Sequence, residues 1–366
     1  MAVDIYKKVA EKLDAMPTGF PATENGVEIR LLQKIFPDSV DAANWLLINV
    51  KPEPIAVIAK RFGKPVADVQ TIIDGLVGKG LIKATGIEGT YYYFVMPFVI
   101  GMYEDNYLHG LVDKEYAEYF EEYLPHYSKS YDGFIPEEVR VIPVSGSVDA
   151  DNVVYPYDDA RKIVEAGKSF KLLPCVCRFQ RNEIGEPCPQ HHSIELGCIV
   201  VSYDASEDEN SKYFPPMAKS ASKEEALAHL EKAAEAGLIH QSYNLESNNH
   251  FICNCCTCCC GLLRGALEFK ATHMMLKSNY LARIDADLCT LCGVCADERC
   301  QFDAIVVGEQ FYSVNPELCA GCGVCVSTCP VEAIVLEAKP ESEQTTPFKS
   351  LDEFYKERSL ARTKQG

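Results

Sequence analysis

Apolar and charged positions alternate at helical spacing over the opening residues. They then break at Pro17-Thr-Gly-Phe-Pro21, which predicts an amphipathic helix and then an irregular segment within residues 1–40. Three further helical stretches follow, from Asp41 to Val50, from Glu53 to Phe62 with Gly63 as its stop, and from Pro65 to about Lys79 before Gly80. Leu81–Thr85 and Thr90–Val95, parted by Gly86 and Gly89, read as a pair of strands. The longest apolar run, Tyr91 to Tyr103, holds 13 residues including Pro97 and Gly101. It is too short to span a bilayer and predicts a buried strand with its exit turn.

The helices and strand pair of residues 41–96 follow the pattern of a winged helix-turn-helix, which can bind DNA. Charge speaks against that use. Asp41 to Val95 carries six Lys/Arg and five Asp/Glu, and the third helix has Asp68 and Asp74 but no arginine. Phosphate contact dominates DNA affinity, so residues 1–103 are expected to be a winged-helix-like docking module. Residues 104–150 form an acidic, tyrosine-rich connector with a helix near Asp113 to Tyr123.

Residues 151–278 are a cysteine-rich domain. A short helix from Asp158 to Glu165 stops at Gly167, and Phe170–Leu173 reads as a strand. Ser206 to Lys212 is a polar surface loop, and Ser222 with Glu225 makes a capping box for a helix ending at Ala236-Gly237. Gly261 opens an apolar run at helical spacing, Leu262 to Leu276, whose N-terminus would favour an anionic group. Residues 279–338 hold an internal repeat. The tail, 339–366, is polar, with a short amphipathic helix around Leu351 to Leu360 and no chemistry assigned to it. The fold class is α+β with these three structured parts in order.

Composition sharpens the reading. Net charge is −18 and the sequence pI about 4.9, which argues against a general nucleic-acid or anionic-membrane binder and favours a partner with a basic docking surface. The opening residues, MAVDIYKKVAEKLD, lack the apolar stretch of a secretory signal, so a cytoplasmic protein is expected. All 18 cysteines fall between Cys175 and Cys329. Clustered, adjacent cysteines suit metal ligation better than disulfides.

The repeat carries the strongest motif. Its first copy reads Asp287-Leu-Cys289-Thr-Leu-Cys292-Gly-Val-Cys295, then Cys300 and Asp303-Ala-Ile-Val306. Its second reads Glu317-Leu-Cys319-Ala-Gly-Cys322-Gly-Val-Cys325, then Cys329-Pro330 and Glu332-Ala-Ile-Val335. Three cysteines at two-residue gaps in a tight glycine turn can reach three corners of one cubane; paired C-x2-C motifs also make zinc sites. Over about sixty residues the pattern resembles the bacterial two-cluster ferredoxins. That resemblance implies two [4Fe–4S] clusters, one on Cys289, Cys292, Cys295 and Cys329, the other on Cys319, Cys322, Cys325 and Cys300, since the last cysteine of each run ligates the opposite cluster. The first copy departs from it. Four residues separate Cys295 from Cys300, and Gln301 replaces the proline.

Ten cysteines lie outside this pattern: Cys175, Cys177, Cys188, Cys198, Cys253, Cys255, Cys256, Cys258, Cys259 and Cys260. They are too dense to be buried free thiols and are expected to hold one or two further iron–sulfur clusters, with zinc the alternative and the partition open. Arg178 could stabilise an anionic cluster, and His191, His192, His240 and His250 flank the run without standing out as ligands. The combination of CxCR, two spaced cysteines and CNCCxCCC resembles ferredoxin-domain proteins of anaerobic bacteria and archaea, which implies redox work in anaerobic metabolism. Cys259-Cys260-Gly261 also resembles the Cys-Cys-Gly motif of heterodisulfide reductase catalytic subunits, which carry noncubane clusters, but the repeated long spacing of that motif is missing here.

Neither G-x-x-x-x-G-K-[ST] nor a strand-linked G-x-G-x-x-G occurs, so no NAD or flavin site is expected. Nine acidic against two basic residues from Asn279 to Ala338, a net of −7, favour low potentials. Three functions fit. The first is an electron-transfer protein or reductase subunit that relays single electrons from a low-potential donor to a partner oxidoreductase, for example a flavoprotein. The second is a reductase with a substrate-binding cluster in the middle domain. The third is an iron–sulfur redox sensor acting on transcription. A catalytic residue cannot be named from the sequence.

Overall fold

A computed structural model describes residues 2–87, 89–131, 136–149, 155–203 and 213–363. Its helical part begins with α1 (Ala2–Asp14), α2 (Val27–Ile35) and α3 (Ser39–Leu46). Next come β1 (Glu53–Pro54), α4 (Ile55–Phe62), α5 (Val66–Gly78), β2 (Lys83–Ile87) and β3 (Thr90–Phe94). The three strands form an antiparallel sheet in the order β1-β3-β2. Gly63 ends α4 in the left-handed conformation at φ 62°, which glycine adopts without strain. Helix α2 is not signalled by the usual polar cap, since its cap position is Gly26 at φ 68°.

After β3 the chain makes a π-turn over Phe98–Met102, then α6 (Tyr103–Leu108) and α7 (Lys114–Lys129). Asp113 caps α7, accepting the Tyr116 N–H at 3.0 Å. One apolar core joins α1 to α7 and continues into Val176, Ala271 and Met274.

The middle part contains β4 (Val139–Ile142), α8 (Ala160–Ala166), β5 (Ser169–Leu172), α9 (Val176–Glu183), β6 (Ile199–Ser202), β7 (Lys219–Ala221), α10 (Lys223–Glu235), β8 (Ile239–Ser242), β9 (Phe251–Cys255), α11 (Gly261–Leu267) and β10 (Met275–Leu276). Its seven strands make one sheet in the order β10-β4-β8-β9-β6-β5-β7, parallel between β10 and β4 and antiparallel elsewhere. The Ser222/Glu225 capping box opens α10, and Gly237 follows it at φ 82°. The loop predicted from Ser206 to Lys212 lies outside the described residues.

The helix expected from Leu262 to Leu276 ends at Leu267 instead. Lys270 turns the chain at φ 61°, and Met274 folds back so closely that a Cβ on Gly265 would lie 2.1 Å from its sulfur. Close packing on glycine, not helical periodicity, sets this segment.

The last part comprises β11 (Tyr280–Ile284), β12 (Ile305–Val306), β13 (Ser313–Val314), β14 (Ile334–Ala338) and α12 (Leu351–Thr363). Strand β11 pairs antiparallel with β14, and β12 with β13. The tail is docked. Phe354 is buried, Phe348 bridges to Leu245, and Arg358 pairs with the buried Glu138 at 2.9 Å. No helix among the described residues is long and apolar enough to cross a membrane.

Candidate metal centres

The repeat seen in the sequence is also a repeat of backbone geometry. Leu291 and Gly321 take φ 58° and 66°, Gly293 and Gly323 take 84° and 77°, and Asp303 and Glu332 take 52° and 51°. The N–H of Cys289 donates to Asp285 O and that of Cys319 to Asn315 O, both at 3.0 Å. Ala304 N–H reaches Cys300 Sγ at 3.2 Å, and Ala333 N–H reaches Cys329 Sγ at 3.3 Å. A N–H aimed at sulfur favours the thiolate. Strand pairing folds the copies together, so each fourth cysteine faces the other copy's trio. Cys289, Cys292, Cys295 and Cys329 line one cavity; Cys300, Cys319, Cys322 and Cys325 line another.

The extra residue of the first copy is absorbed as a π-turn over Cys295–Arg299, closed by Cys300 N–H on Cys295 O at 3.0 Å. Cys300 thereby keeps its Ala304 contact. Gln301, which replaces the proline, donates to Gly237 O and accepts from Thr257 N at 2.9 Å. The two groups differ in depth. Cys292 is exposed, whereas burial pushes the Cys322 thiol up to about 12. The carbonyl of Cys322 accepts Val144 N–H at 2.9 Å, which seats the second group against the middle sheet.

The ten remaining thiols divide into four and six. Cys188, Cys256, Cys258 and Cys259 have all their sulfurs within 4.8 Å of one another. Cys175, Cys177, Cys198, Cys253, Cys255 and Cys260 line a separate cavity over the middle sheet, which Cys256 and Cys259 also touch. Strand alternation contributes to the division: Cys253 and Cys255 share a face of β9, and Cys256 falls beyond its end. Cys198 and Cys253 approach to 3.1 Å. Hydrogen bonds from neighbouring thiols, then burial, push Cys175, Cys253 and Cys255 well above the ordinary thiol range. Crowded, buried sulfurs cannot all ionise unaided; a bound cation would stabilise several thiolates here.

Arg178 is 1% exposed and lies between the two groups. It donates to Asn254 O at 3.1 Å and to Leu196 O at 2.6 Å. Burial opposes its charge, but Cys175, Cys256 and Cys255 outweigh that and raise its pKa. Two of the flanking histidines are engaged elsewhere. His240 pairs with Asn254 Oδ1 at 2.8 Å and His192 with Gln190 at 2.7 Å, and burial lowers both to about 4.

The cavity over the six thiols measures about 70 Å³, against about 20 Å³ for each ferredoxin-type cavity. Sequence reasoning missed its polar lining: Tyr103, Glu104, Gln180 and Gln241. Gln241 of β8 sits opposite Cys253 and is 1% exposed, and among the described residues neither of its amide atoms has a partner. Glu104 accepts Gly101 N–H at 2.7 Å, and burial raises its carboxyl to about 7 against those backbone bonds. Ile100, on the cavity wall, takes φ 53°, uncommon for a β-branched residue and a mark of functional sites. The one signal for this lining in the sequence was the Pro97/Gly101 break in the long apolar run.

Comparison with curated proteins and with solved structures returned no match to the chain. Residues 312–335, which span Cys319, Cys322, Cys325 and Cys329, match the family described as a 4Fe-4S binding domain, and this part of the chain is an iron–sulfur binding segment of the kind used in electron transfer.

Proposed function

We propose that the chain is an iron–sulfur electron-transfer protein or reductase subunit, which relays single electrons between a low-potential donor and a partner oxidoreductase in the cytoplasm. The observation that carries this reading is the pair of cavities, each lined by four cysteines with the fourth supplied by the other repeat. Cys289, Cys292, Cys295 and Cys329 would hold one [4Fe–4S] cluster, and Cys319, Cys322, Cys325 and Cys300 the other; such clusters supply one-electron chemistry. Cys292, exposed, makes the first group the entry side. The Cys322 carbonyl and Gln301 tie the second group to the middle part, which sets an order from surface to interior. The −7 charge of residues 279–338 suits a partner with a basic face. The helices and three-stranded sheet from α3 to β3 act as a winged-helix-like docking module.

A second reading is favoured by the larger cavity. Its unpaired Gln241, protonatable Glu104 and surplus of thiols over the four a cubane needs suit a reductase whose substrate binds beside a middle-part cluster. Anaerobic purification with iron and sulfide quantification and EPR tests both. About eight irons per chain means the ferredoxin pair alone; about twelve means the six-thiol group is loaded too. Eight ferredoxin-domain cysteines gathered round zinc would remove the redox reading. A substrate that perturbs one EPR signal selects the reductase.

A further inference from the structure

The chain contains two kinds of four-cysteine group, and they differ in one physical respect. The ferredoxin-type groups are hollow, each opening a cavity between its sulfurs. The group Cys188, Cys256, Cys258 and Cys259 is closed, with every sulfur within 4.8 Å of every other. Cys188 and Cys258 approach to 3.4 Å, and Cys258 and Cys259 to 3.7 Å. Among the described residues no other set of metal-binding side chains comes together so tightly.

Four thiolates around one tetrahedral ion, at metal–sulfur distances of about 2.3 Å, lie about 3.8 Å apart. A cubane separates them further, because each thiolate sits on its own iron and points away from the centre of the cube. The spacing C-x-C-C is also too short to reach separate corners comfortably, whereas it wraps one ion readily. We infer that Cys188, Cys256, Cys258 and Cys259 hold a single tetrahedral divalent ion, zinc or ferrous iron, and not an iron–sulfur cluster.

Four thiolates on such an ion leave two negative charges. The buried Arg178 guanidinium faces Cys256 and offsets part of them. The ion closes the turn between β9 and α11, and so presents Cys255 and Cys260, its flanking residues, to the six-thiol cavity. It also holds Thr257, between two ligands, where its N–H meets Gln301.

The test is a stoichiometry. Each [4Fe–4S] cluster contributes equal iron and sulfide, so in the anaerobically purified full chain iron plus zinc should exceed acid-labile sulfide by about one per chain. Cys258→Ser should abolish that excess and leave sulfide unchanged. Equal metal and sulfide in the wild-type chain overturns the inference, as does a Cys258→Ser variant that loses about four irons with their sulfide. Should the variant fail to fold, the X-ray absorption edge of the wild-type zinc, or the Mössbauer spectrum of the extra iron, still decides. For zinc, four sulfur neighbours with no metal neighbour in the absorption fine structure support the single ion and a metal–metal distance overturns it; for iron, a separate high-spin ferrous doublet supports it and cubane signals alone overturn it.

Discussion

The side-chain oxygen of Gln301 accepts the backbone N–H of Thr257 at 2.9 Å, and this contact joins the residue after Cys300 to the turn between Cys256 and Cys258. The same amide donates to Gly237 O. A proline, which the second copy has at Pro330, could make neither bond. Gln301→Ala should leave a half-buried N–H and a carbonyl without partners, at about 1–3 kcal/mol of stability. It should shift the potential of one ferredoxin-type cluster and leave the other in place. Thermal unfolding and a potentiometric EPR titration read the two effects; unchanged potentials for both clusters would show that the contact is structural only.

Crossed ligation makes a sharper prediction. Cys329→Ser and Cys292→Ser should perturb the same EPR signal although they lie in different copies, while Cys300→Ser perturbs the other. Each should cost up to about four irons per chain. If Cys329→Ser instead altered the signal altered by Cys325→Ser, ligation within each copy would replace the crossed arrangement.

Local patterns were legible where their cause is local. The capping box at Ser222 and Glu225, the left-handed Gly63 and the paired C-x2-C turns all act over a few residues, and the structure shows the corresponding helix start, helix stop and backbone repeat. The division of the ten middle thiols was not legible, because Cys188 meets Cys258 across 70 positions and only the sheet brings them together. The α11 run misled for a related reason: helical spacing from Leu262 to Leu276 persists while Gly265 lets Met274 pack onto the helix and end it. The tail read as merely polar because its anchors are few. Phe354 and Arg358, one helical turn apart, seat it by filling a site made from distant residues.

That seat depends on a buried charge pair. Glu138 and Arg358 have side chains 0% and 3% exposed, and Arg358 also donates to Pro136 O at 2.6 Å and lies over the Tyr131 ring. Arg358→Met strands the carboxylate and should cost about 3–5 kcal/mol. The double variant Glu138→Gln with Arg358→Met should recover part of that loss, since no charge is then left buried. Denaturant titration separates the two. A double variant no more stable than Arg358→Met would mean that α12 is held by packing around Phe354 instead.

The cavity predicts a pH dependence with a definite sign. Burial raises Glu104 to about 7 from an ordinary 4.5, so between those values the folded chain holds a proton that the unfolded chain has released. The stability from this group is complete below about pH 4.5 and is lost as pH rises through about 7, a span of roughly 3 kcal/mol. Glu104→Gln keeps the shape and an acceptor for Gly101 N–H but cannot titrate. Relative to wild type, the variant should gain ground as pH rises from about 5 to 7 and level off above that. Parallel stability profiles over that range would mean that Glu104 is ionised in the fold, with a cation or a bound group beside it. The protonated carboxyl is also a proton donor facing the six thiols, so in the reductase reading turnover should fall above pH 7 in wild type and lose that limb in the variant.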